Sequence, residues 1–334
     1  AGLVAQSGLS GGVVVALDFP AGRAVADLEA DGNFVVHGLF TTEASVEKAR
    51  REIAQAGRYG QVSCDTYNGR DLPYIDNLVN LVLCKASCQV PVPELMRVVA
   101  PGGTVMVEGP DGWKTAVTPK PSGTDEWNQF LHGADNNGVS LDDVGPPQRL
   151  RWHSGPEYGR SKALSPSFSN MVSAGGVVYT IEDWATTEDV NAPSQYYLVA
   201  RDAYNGIELW KRSMNEEWIG WQGGSIKSIS TQQQRCLAAI GETVYVCSGF
   251  GGPVTALDSR TGAEKQVYEF TEQTAEFLIE GNILYGIKGA PYRVGKSNVA
   301  GSEELYALDL DKGTMIWSKH IANEYTGGTF AVKG

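Results

Sequence analysis

The chain has 334 residues, of which 40 are glycine, and its formal net charge at pH 7 is −12. The length allows two domains, and the glycine content suits a β protein with many turns. The negative charge excludes nucleic acid and anionic membrane surfaces as expected partners, and no apolar run approaches the roughly 20 residues of a membrane-spanning helix.

Residues 1–118 alternate strands with helices. The continuous apolar run at 13–17 and a second such run at 33–39 suit buried parallel strands, and residues 42–56 predict a helix capped by Thr41 or Thr42. In chain order the predicted strands are 13–17, 33–39, 61–64, 78–83 and 104–108, and the predicted helices are 23–30, 42–56 and 93–100. This alternation predicts a Rossmann-like, doubly wound parallel sheet.

The segment Glu94-Leu-Met-Arg-Val-Val-Ala-Pro-Gly-Gly103 stands before the last of these strands. Together with the order of the elements, it resembles a class I S-adenosylmethionine-dependent methyltransferase domain. Such a domain holds its cofactor with a glycine-rich turn after the first strand and an acidic residue at the end of the second strand.

The turn after the first strand reads Asp18-Phe-Pro-Ala-Gly22, and Phe40 stands where the acidic residue is expected. Only Gly22 remains of the glycines, the Phe adds bulk, and the Pro removes an N–H donor. Asp18, Gly22 and Asn68 are the remaining candidates for contacts with the cofactor. We therefore expect a structural, methyltransferase-like domain whose cofactor site is degenerate and which has no substrate. A working methyltransferase is the less favoured alternative.

Residues 119–155 are predicted to be a linker packed on a second, all-β domain at 156–334. Three stretches of this second domain share one pattern, which recurs at intervals of roughly 50 residues and so predicts the blades of a β-propeller. They are Asp202-x3-Gly206-x3-Trp210, Asp258-x3-Gly262 and Asp309-x3-Gly313-x3-Trp317. The Asp can bond the backbone of its turn, the Gly supplies a positive φ, and the Trp fills space between sheets. In the second repeat Gln266 replaces the Trp.

The segments Asp125–Asn137 and Arg201–Trp210 extend the resemblance. The whole chain resembles exported, planctomycete-type quinoprotein-like (PQQ-type) propeller repeat proteins that begin with a methyltransferase-like domain. The resemblance implies a periplasmic or cell-envelope location, and a start at Ala1 instead of Met is expected if a leader has been removed.

Quinoprotein dehydrogenases hold their quinone between a Trp and a disulfide of adjacent cysteines, with Ca²⁺ nearby. None of the five cysteines is adjacent to another, so the sequence lacks the disulfide that a quinone site needs. No cofactor is therefore assigned. PQQ and S-adenosylmethionine are expected only under the alternative functions. Three repeats are fewer than the 4 to 8 blades of a propeller. Residues 327–334 resemble the opening strand of a fourth blade, so the expected partners are remaining blades, either downstream in the same chain or in other subunits.

The cysteines permit two interpretations. Cys236 and Cys247 flank a predicted hairpin and face each other across it, so they could form a cross-strand disulfide or be two small buried hydrophobes. Cys84 and Cys88 are four residues apart, but the nearby sequence supplies no further ligands for a metal site. No metal site is predicted.

Trp184, Trp218 and Trp221 lie outside the repeat positions, in long loops that either bind a protein or polymer ligand or pack among themselves. No nucleophile–base pair is evident, so no catalytic residue is assigned. The sequence therefore favours a non-catalytic binding or assembly module of the cell envelope. The alternatives are the N-terminal part of a PQQ-type dehydrogenase whose cofactor site lies in further blades, and an S-adenosylmethionine-dependent methyltransferase.

Overall fold

The computed structural model describes residues 2–28, 33–159, 168–189, 195–214, 235–247, 252–289, 302–321 and 331–333. The contacts between residues divide the chain into two compact units. The first comprises Ala1–Thr124, Val144–His153 and Arg201–Leu209, and the second comprises Asp125–Asp143, Ser154–Ala200 and Trp210–Gly334. Within the described ranges, no helix is both long and apolar enough to cross a membrane.

The first unit contains a six-stranded sheet. Its strands are β1 (Gly11–Leu17), β2 (Asn33–Phe40), β3 (Val62–Thr66), β4 (Val79–Cys84), β5 (Val99–Gly109) and β6 (Gly112–Val117). Their order is β3-β2-β1-β4-β5-β6, with β1 to β5 parallel and β6 antiparallel to β5. The strand order reverses between β1 and β4, as in doubly wound Rossmann-like folds, so the predicted fold class of this region is confirmed.

In the part of the first unit that the structure describes, four helices accompany this sheet. They are α1 (Gly2–Gln6), α2 (Gly22–Ala26), α3 (Glu43–Gln55) and α4 (Val92–Val98). The α3 helix begins after Thr42, whose side chain accepts a hydrogen bond from the Ser45 N–H, so Thr42 is the cap of the two that the sequence allowed. The sequence did not predict α1 or β6; the side chains of β6 are mostly exposed and lack the apolar pattern that indicates a strand.

Alternate residues of β1 face opposite sides of the sheet. Val14 packs in the core on the side of α2 and α3, whereas Val15 packs in the core on the side of α4. Both are fully buried, as expected for a parallel strand covered on both faces.

In the second half of the chain, the described residues form three four-stranded sheets. The first holds β7 (Phe168–Ala174), β8 (Val177–Asp183), β9 (Tyr196–Asp202) and β10 (Glu208–Ser213); the second holds β11 (Leu237–Ile240), β12 (Thr243–Cys247), β13 (Val254–Asp258) and β14 (Glu264–Tyr268); the third holds β15 (Thr274–Glu280), β16 (Ile283–Gly289), β17 (Ser302–Asp309) and β18 (Thr314–His320). In each sheet, strands that are consecutive in sequence are neighbours. Each repeat therefore builds four strands, which is the number in a propeller blade.

The pairing of the cysteines in the structure differs from one of the interpretations of the sequence. The pairing of β11 with β12 places Cys236 opposite Cys247, as predicted, and the Cys247 N–H donates to the Cys236 carbonyl at 3.1 Å. Both thiols are free and buried, so the cross-strand disulfide is absent and the two residues are small buried hydrophobes. A disulfide instead joins Cys84 to Cys88 at the end of β4, where the sequence predicted none.

Candidate functional site

A cleft of about 380 Å³ lies at the carboxyl ends of β1, β2 and β4. Its lining residues are Asp18, Phe19, Phe40, Thr41, Ser45, Gly69, Ser87 and Gln89. Ligands of doubly wound folds bind at this edge of the sheet, beside the point where the strand order reverses. The volume lies within the range of small-molecule pockets, so this cleft is the candidate binding site of the first unit.

Asp18 follows β1 directly and adopts a left-handed backbone conformation with φ of 55°, which is uncommon for a residue other than glycine. Burial raises the pKa of its carboxyl group, and the nearby Tyr67 hydroxyl offsets part of this rise. The Tyr67 hydroxyl is buried and makes no hydrogen bond to a residue that the structure describes. Tyr67 does not line the cleft, so the Asp18 carboxyl group is the ionisable group among the lining residues.

Gly22 is absent from the lining of the cleft. It begins α2, and a Cβ at this position would overlap the backbone of Ala49 in α3. The glycine is therefore required for the close packing of two helices, and it does not bring the backbone close to a ligand in the cleft.

Phe40 ends β2, as the sequence predicted, and its buried ring lines the cleft where a methyltransferase would place a carboxylate. Asn68 does not line the cleft. Its side-chain oxygen accepts hydrogen bonds from the Arg70 and Asp71 N–H groups at 2.9 and 2.7 Å, and its amide donates to the Asp71 carboxylate at 2.8 Å. Asn68 thus closes a turn, and its neighbour Gly69 contributes to the cleft instead.

The Cys84–Cys88 disulfide closes the loop that brings Ser87 to the cleft. Within this loop the Lys85 ammonium forms an ion pair with Glu108 at 2.6 Å, which anchors the loop to β5. Sequence reasoning missed this wall of the site. The available signal was a pair of closely spaced cysteines in a chain expected to be exported, since exported cysteines commonly pair.

Three solved structures illustrate what the first unit resembles. A SAM-dependent methyltransferase from Aquifex aeolicus is 18% identical, with 32% of this chain and 61% of that chain covered and a TM-score of 0.28. Geranyl diphosphate methyltransferase in complex with SAM is 18% identical, with 31% and 47% covered and a TM-score of 0.28. The [4+2]-cyclase SpnF is 22% identical, with 32% and 42% covered and a TM-score of 0.27.

These similarities fall in the N-terminal third of the chain. Two further solved structures are described as putative methyltransferases, and the match covers 52% and 43% of their chains. The chain therefore spans about half the length of the structures that it matches. No family model and no curated protein matches the chain.

The repeat turns have the local geometry that the sequence predicted. Asp258 accepts hydrogen bonds from the Arg260 and Thr261 N–H groups at 3.1 and 3.0 Å. Asp202 and Asp309 likewise accept bonds from the N–H groups of their own turns. The φ angles of Gly206, Gly262 and Gly313 are 77°, 68° and 65°. Each turn therefore needs its glycine for backbone reasons alone.

The Trp of one repeat lies on the glycine of the next. A Cβ at Gly262 would lie 2.7 Å from two ring carbons of Trp210, and the Trp210 indole N–H donates to the Ser259 carbonyl at 2.9 Å. Gln266, which replaces the next Trp, occupies the same place against Gly313. We call each such contact between a side chain and the following repeat glycine a junction.

Trp152 forms a junction that sequence reasoning missed. A Cβ at Gly206 would lie 2.6 Å from two carbons of the Trp152 ring, and the Trp152 indole N–H donates to the Ala203 carbonyl at 2.9 Å. Ala203 follows Asp202, just as Ser259 follows Asp258. Trp152 stands about 50 residues before its glycine, which is the spacing of the repeat.

Trp184 has partners on its own sheet. Its indole N–H donates to the Glu182 carboxylate at 2.9 Å, and the Lys211 ammonium lies 3.7 Å from the ring centroid. Lys211 therefore covers one face of the ring through a cation–π contact. The other two residues of the predicted ligand platform, Trp218 and Trp221, lie outside the described residues.

Proposed function

We propose that the chain is a non-catalytic binding or assembly module of the cell envelope, built on quinoprotein-like propeller repeats. The observation that carries the proposal is the junction between consecutive repeats, in which a Trp210-type ring lies on a Gly262-type turn. Repeats that bury such rings against one another form a continuous scaffold, because each sheet supplies the surface on which the next sheet packs. The location in the cell envelope follows from the family resemblance and belongs to the proposal.

The repeat tryptophans have structural roles in this proposal. Trp210 and Trp152 both use their indole N–H groups to bond the backbone of a neighbouring turn, and each ring lies on a repeat glycine, so that face of the ring is not available to stack on a quinone. The pair of adjacent cysteines that a quinoprotein site would require is absent from the sequence. A PQQ-type dehydrogenase would therefore need cofactor residues that this sequence does not contain.

Loading the protein with PQQ and Ca²⁺ tests the non-catalytic proposal. We expect no saturable change in the absorption spectrum or the melting temperature, and no reduction of an electron-acceptor dye when alcohols or sugars are supplied. Saturable uptake of PQQ accompanied by dye reduction would reject the proposal and support the dehydrogenase alternative.

The second candidate function is an S-adenosylmethionine-dependent methyltransferase. The cleft favours it, since the cleft lies where a doubly wound fold binds a nucleotide and includes the Asp18 carboxyl group. Against it, Gly22 serves the packing of helices and Phe40 replaces the acidic residue that would bond the ribose hydroxyls.

Thermal unfolding with S-adenosylmethionine tests the second candidate. A ligand at 100 times its dissociation constant stabilises a folded protein by about 2.7 kcal/mol, which is readily seen as a rise in melting temperature. The Asp18→Asn variant is the control, since it removes the charge in the cleft and keeps the size of the side chain. A rise that Asp18→Asn abolishes would support cofactor binding, and an unchanged melting temperature at saturating cofactor would exclude it.

A further inference from the structure

The loop that follows β4 carries two of the residues that line the cleft. Ser87 and Gln89 stand on either side of Cys88, which a disulfide joins to Cys84. Within the part of the chain that the structure describes, the one hydrogen bond that Ser87 or Gln89 makes joins them to each other: the Gln89 amide donates to the Ser87 carbonyl at 3.2 Å. The disulfide is therefore the main attachment of this wall of the cleft to the sheet.

The beginning of the loop is anchored without the disulfide. The Lys85 N–H donates to the Leu17 carbonyl at 3.3 Å, and the Lys85 ammonium pairs with Glu108 at 2.6 Å. The other carboxylate oxygen of Glu108 accepts a hydrogen bond from the Ala86 N–H at 3.2 Å. On the far side of the loop, Val90 is buried. Cleavage of the disulfide would thus free the residues between Ala86 and Val90 and leave the sheet in place.

The short separation of the two cysteines predicts that the disulfide can be reduced in the folded protein. A disulfide stabilises a fold mainly by restricting the unfolded chain, and this effect grows with the length of the loop that it closes. Cys84 and Cys88 are four residues apart, so the stability lost on reduction is small. Cys84 is 2% exposed, whereas Cys88 is only half-buried, so Cys88 is the more accessible of the two to a reductant.

We propose that Cys84 and Cys88 form a reversible thiol–disulfide exchange site, whose substrate is a dithiol reductant and whose reduction opens this wall of the cleft. A thiolate of the reductant attacks the Cys88 sulfur, the S–S bond breaks, and Cys84 leaves as a thiolate that takes up a proton. The second thiol of the reductant then attacks the mixed disulfide and releases the Cys88 thiol. The reductant is oxidised to a disulfide, and the protein gains the electron pair and the two protons.

The three remaining cysteines provide an internal comparison. Cys64, Cys236 and Cys247 are free and buried. Burial raises the pKa of the Cys64 thiol, and the neighbouring Cys247 thiol together with burial raises the pKa of Cys236. Because the thiolate is the reactive form of cysteine, these three residues should not react with an alkylating agent while the protein is folded. Labelling of the folded protein therefore reports on Cys84 and Cys88.

Thiol labelling tests whether the site exchanges with a dithiol. The 334-residue chain is equilibrated with increasing dithiothreitol, alkylated and mapped by peptide mass spectrometry, while circular dichroism follows unfolding. We expect label to enter Cys84 and Cys88 together while the chain remains folded. Labelling of this pair only in step with unfolding would overturn the proposal. Label at both residues after equilibration with oxidised glutathione would also overturn it, because no disulfide would then be present to exchange.

Amide relaxation measured by NMR tests whether reduction opens the wall. We expect the order parameters of Ser87 and Gln89 to fall from about 0.85 to below about 0.6 on reduction, which marks a change from a rigid to a flexible backbone. Those of Thr41, elsewhere in the cleft lining, should not change. The double variant Cys84→Ser with Cys88→Ser should match the reduced chain and no longer respond to dithiothreitol.

Order parameters of Ser87 and Gln89 that stay the same on reduction would show that the disulfide does not hold the wall, and the proposal would then be wrong. Because the unsubstituted chain is measured in both redox states, this outcome can be read even if the double variant does not fold. The exchange site is independent of the assembly role proposed above, so uptake of PQQ would reject that role and leave this result standing.

Discussion

The Trp210 and Gln266 junctions occupy equivalent places in consecutive repeats but are built from different chemistry. At the first, an aromatic ring lies on Gly262 and its N–H bonds the Ser259 carbonyl; at the second, a shorter amide side chain approaches Gly313. The glycine has a positive φ in both turns. The comparison shows that the turn requires glycine whichever side chain covers it, whereas the covering side chain can vary. The stabilisation from the ring should therefore be separable from that of the turn.

The largest expected effect is that of Trp210→Ala. Removing a buried Trp side chain costs about 3–5 kcal/mol, because the ring contact with Gly262 and the hydrogen bond to Ser259 are both lost. The matched change Gln266→Ala should cost much less, since it removes a smaller, polar group. Urea unfolding of the two variants measures the difference. Equal losses of unfolding free energy would show that the ring adds nothing to the junction.

Gly262→Ala should have the next largest effect. The left-handed conformation of this residue costs an alanine about 1–2 kcal/mol, and the new Cβ would also overlap the Trp210 ring. Gly241→Ala is the matched control in the same sheet, because Gly241 has φ of 57° and a methyl group added there would meet no atom within 4 Å. The unfolding midpoint should fall further for Gly262→Ala, and identical shifts would contradict a steric role for the ring.

Gln266→Trp should convert the second junction into one of the first kind. We expect a gain of about 1 kcal/mol, since a ring placed on Gly313 buries more apolar area than an amide does. The double variant Gln266→Trp with Gly313→Ala is the control, because the added methyl group would exclude the ring. A stabilisation that survives in the double variant would show that the ring packs somewhere other than on Gly313.

The repeat aspartates should give a smaller, pH-dependent difference. Burial raises the pKa of Asp202 despite hydrogen bonds from Asn80 and its own turn. For Asp258 burial acts in the same direction, but hydrogen bonds from Thr261 and Arg260 lower the pKa overall. Stability contributed by Asp202 is therefore fully present below its unfolded pKa and is lost as the pH rises through its folded pKa. Stability contributed by Asp258 is present above its unfolded pKa and is lost as the pH falls through its folded pKa.

Unfolding curves of Asp202→Asn and Asp258→Asn between pH 3 and 7 (a window of roughly the carboxyl range) measure this difference. Relative to the unsubstituted chain, Asp258→Asn should become less destabilising as the pH falls, and Asp202→Asn should become less destabilising as the pH rises. Parallel profiles for the two variants would show that their carboxyl groups have the same environment.

The sequence predicted most of the first unit because its elements depend on local patterns. The apolar runs at 13–17 and 33–39 predicted β1 and β2, and Thr42 with the acidic first turn of α3 predicted where that helix begins. The sequence did not predict β6, since its side chains are mostly exposed and its strand conformation depends on pairing with β5.

The candidate site was less predictable than the fold. Asp18 and Phe40 each lie at the end of a predicted strand, and both line the cleft. The roles of Gly22 and Asn68 could not be read from sequence: the first depends on the approach of α3, and the second on hydrogen bonds within a loop. The wall formed by Ser87 depends on a disulfide between residues whose separation does not by itself determine their pairing.

The sequence by itself determined the repeat, because an Asp and a positive-φ glycine act on the backbone of their own turn, within a few residues. It also determined the alternation of strands and helices in the first unit. Only the tertiary structure decided which residue covers each glycine. The contact of Trp152 with Gly206 identified Trp152 as a repeat position. Trp317 is exposed, and no glycine among the described residues contacts it. A junction joins residues about 50 positions apart, and no local pattern determines which distant surfaces meet.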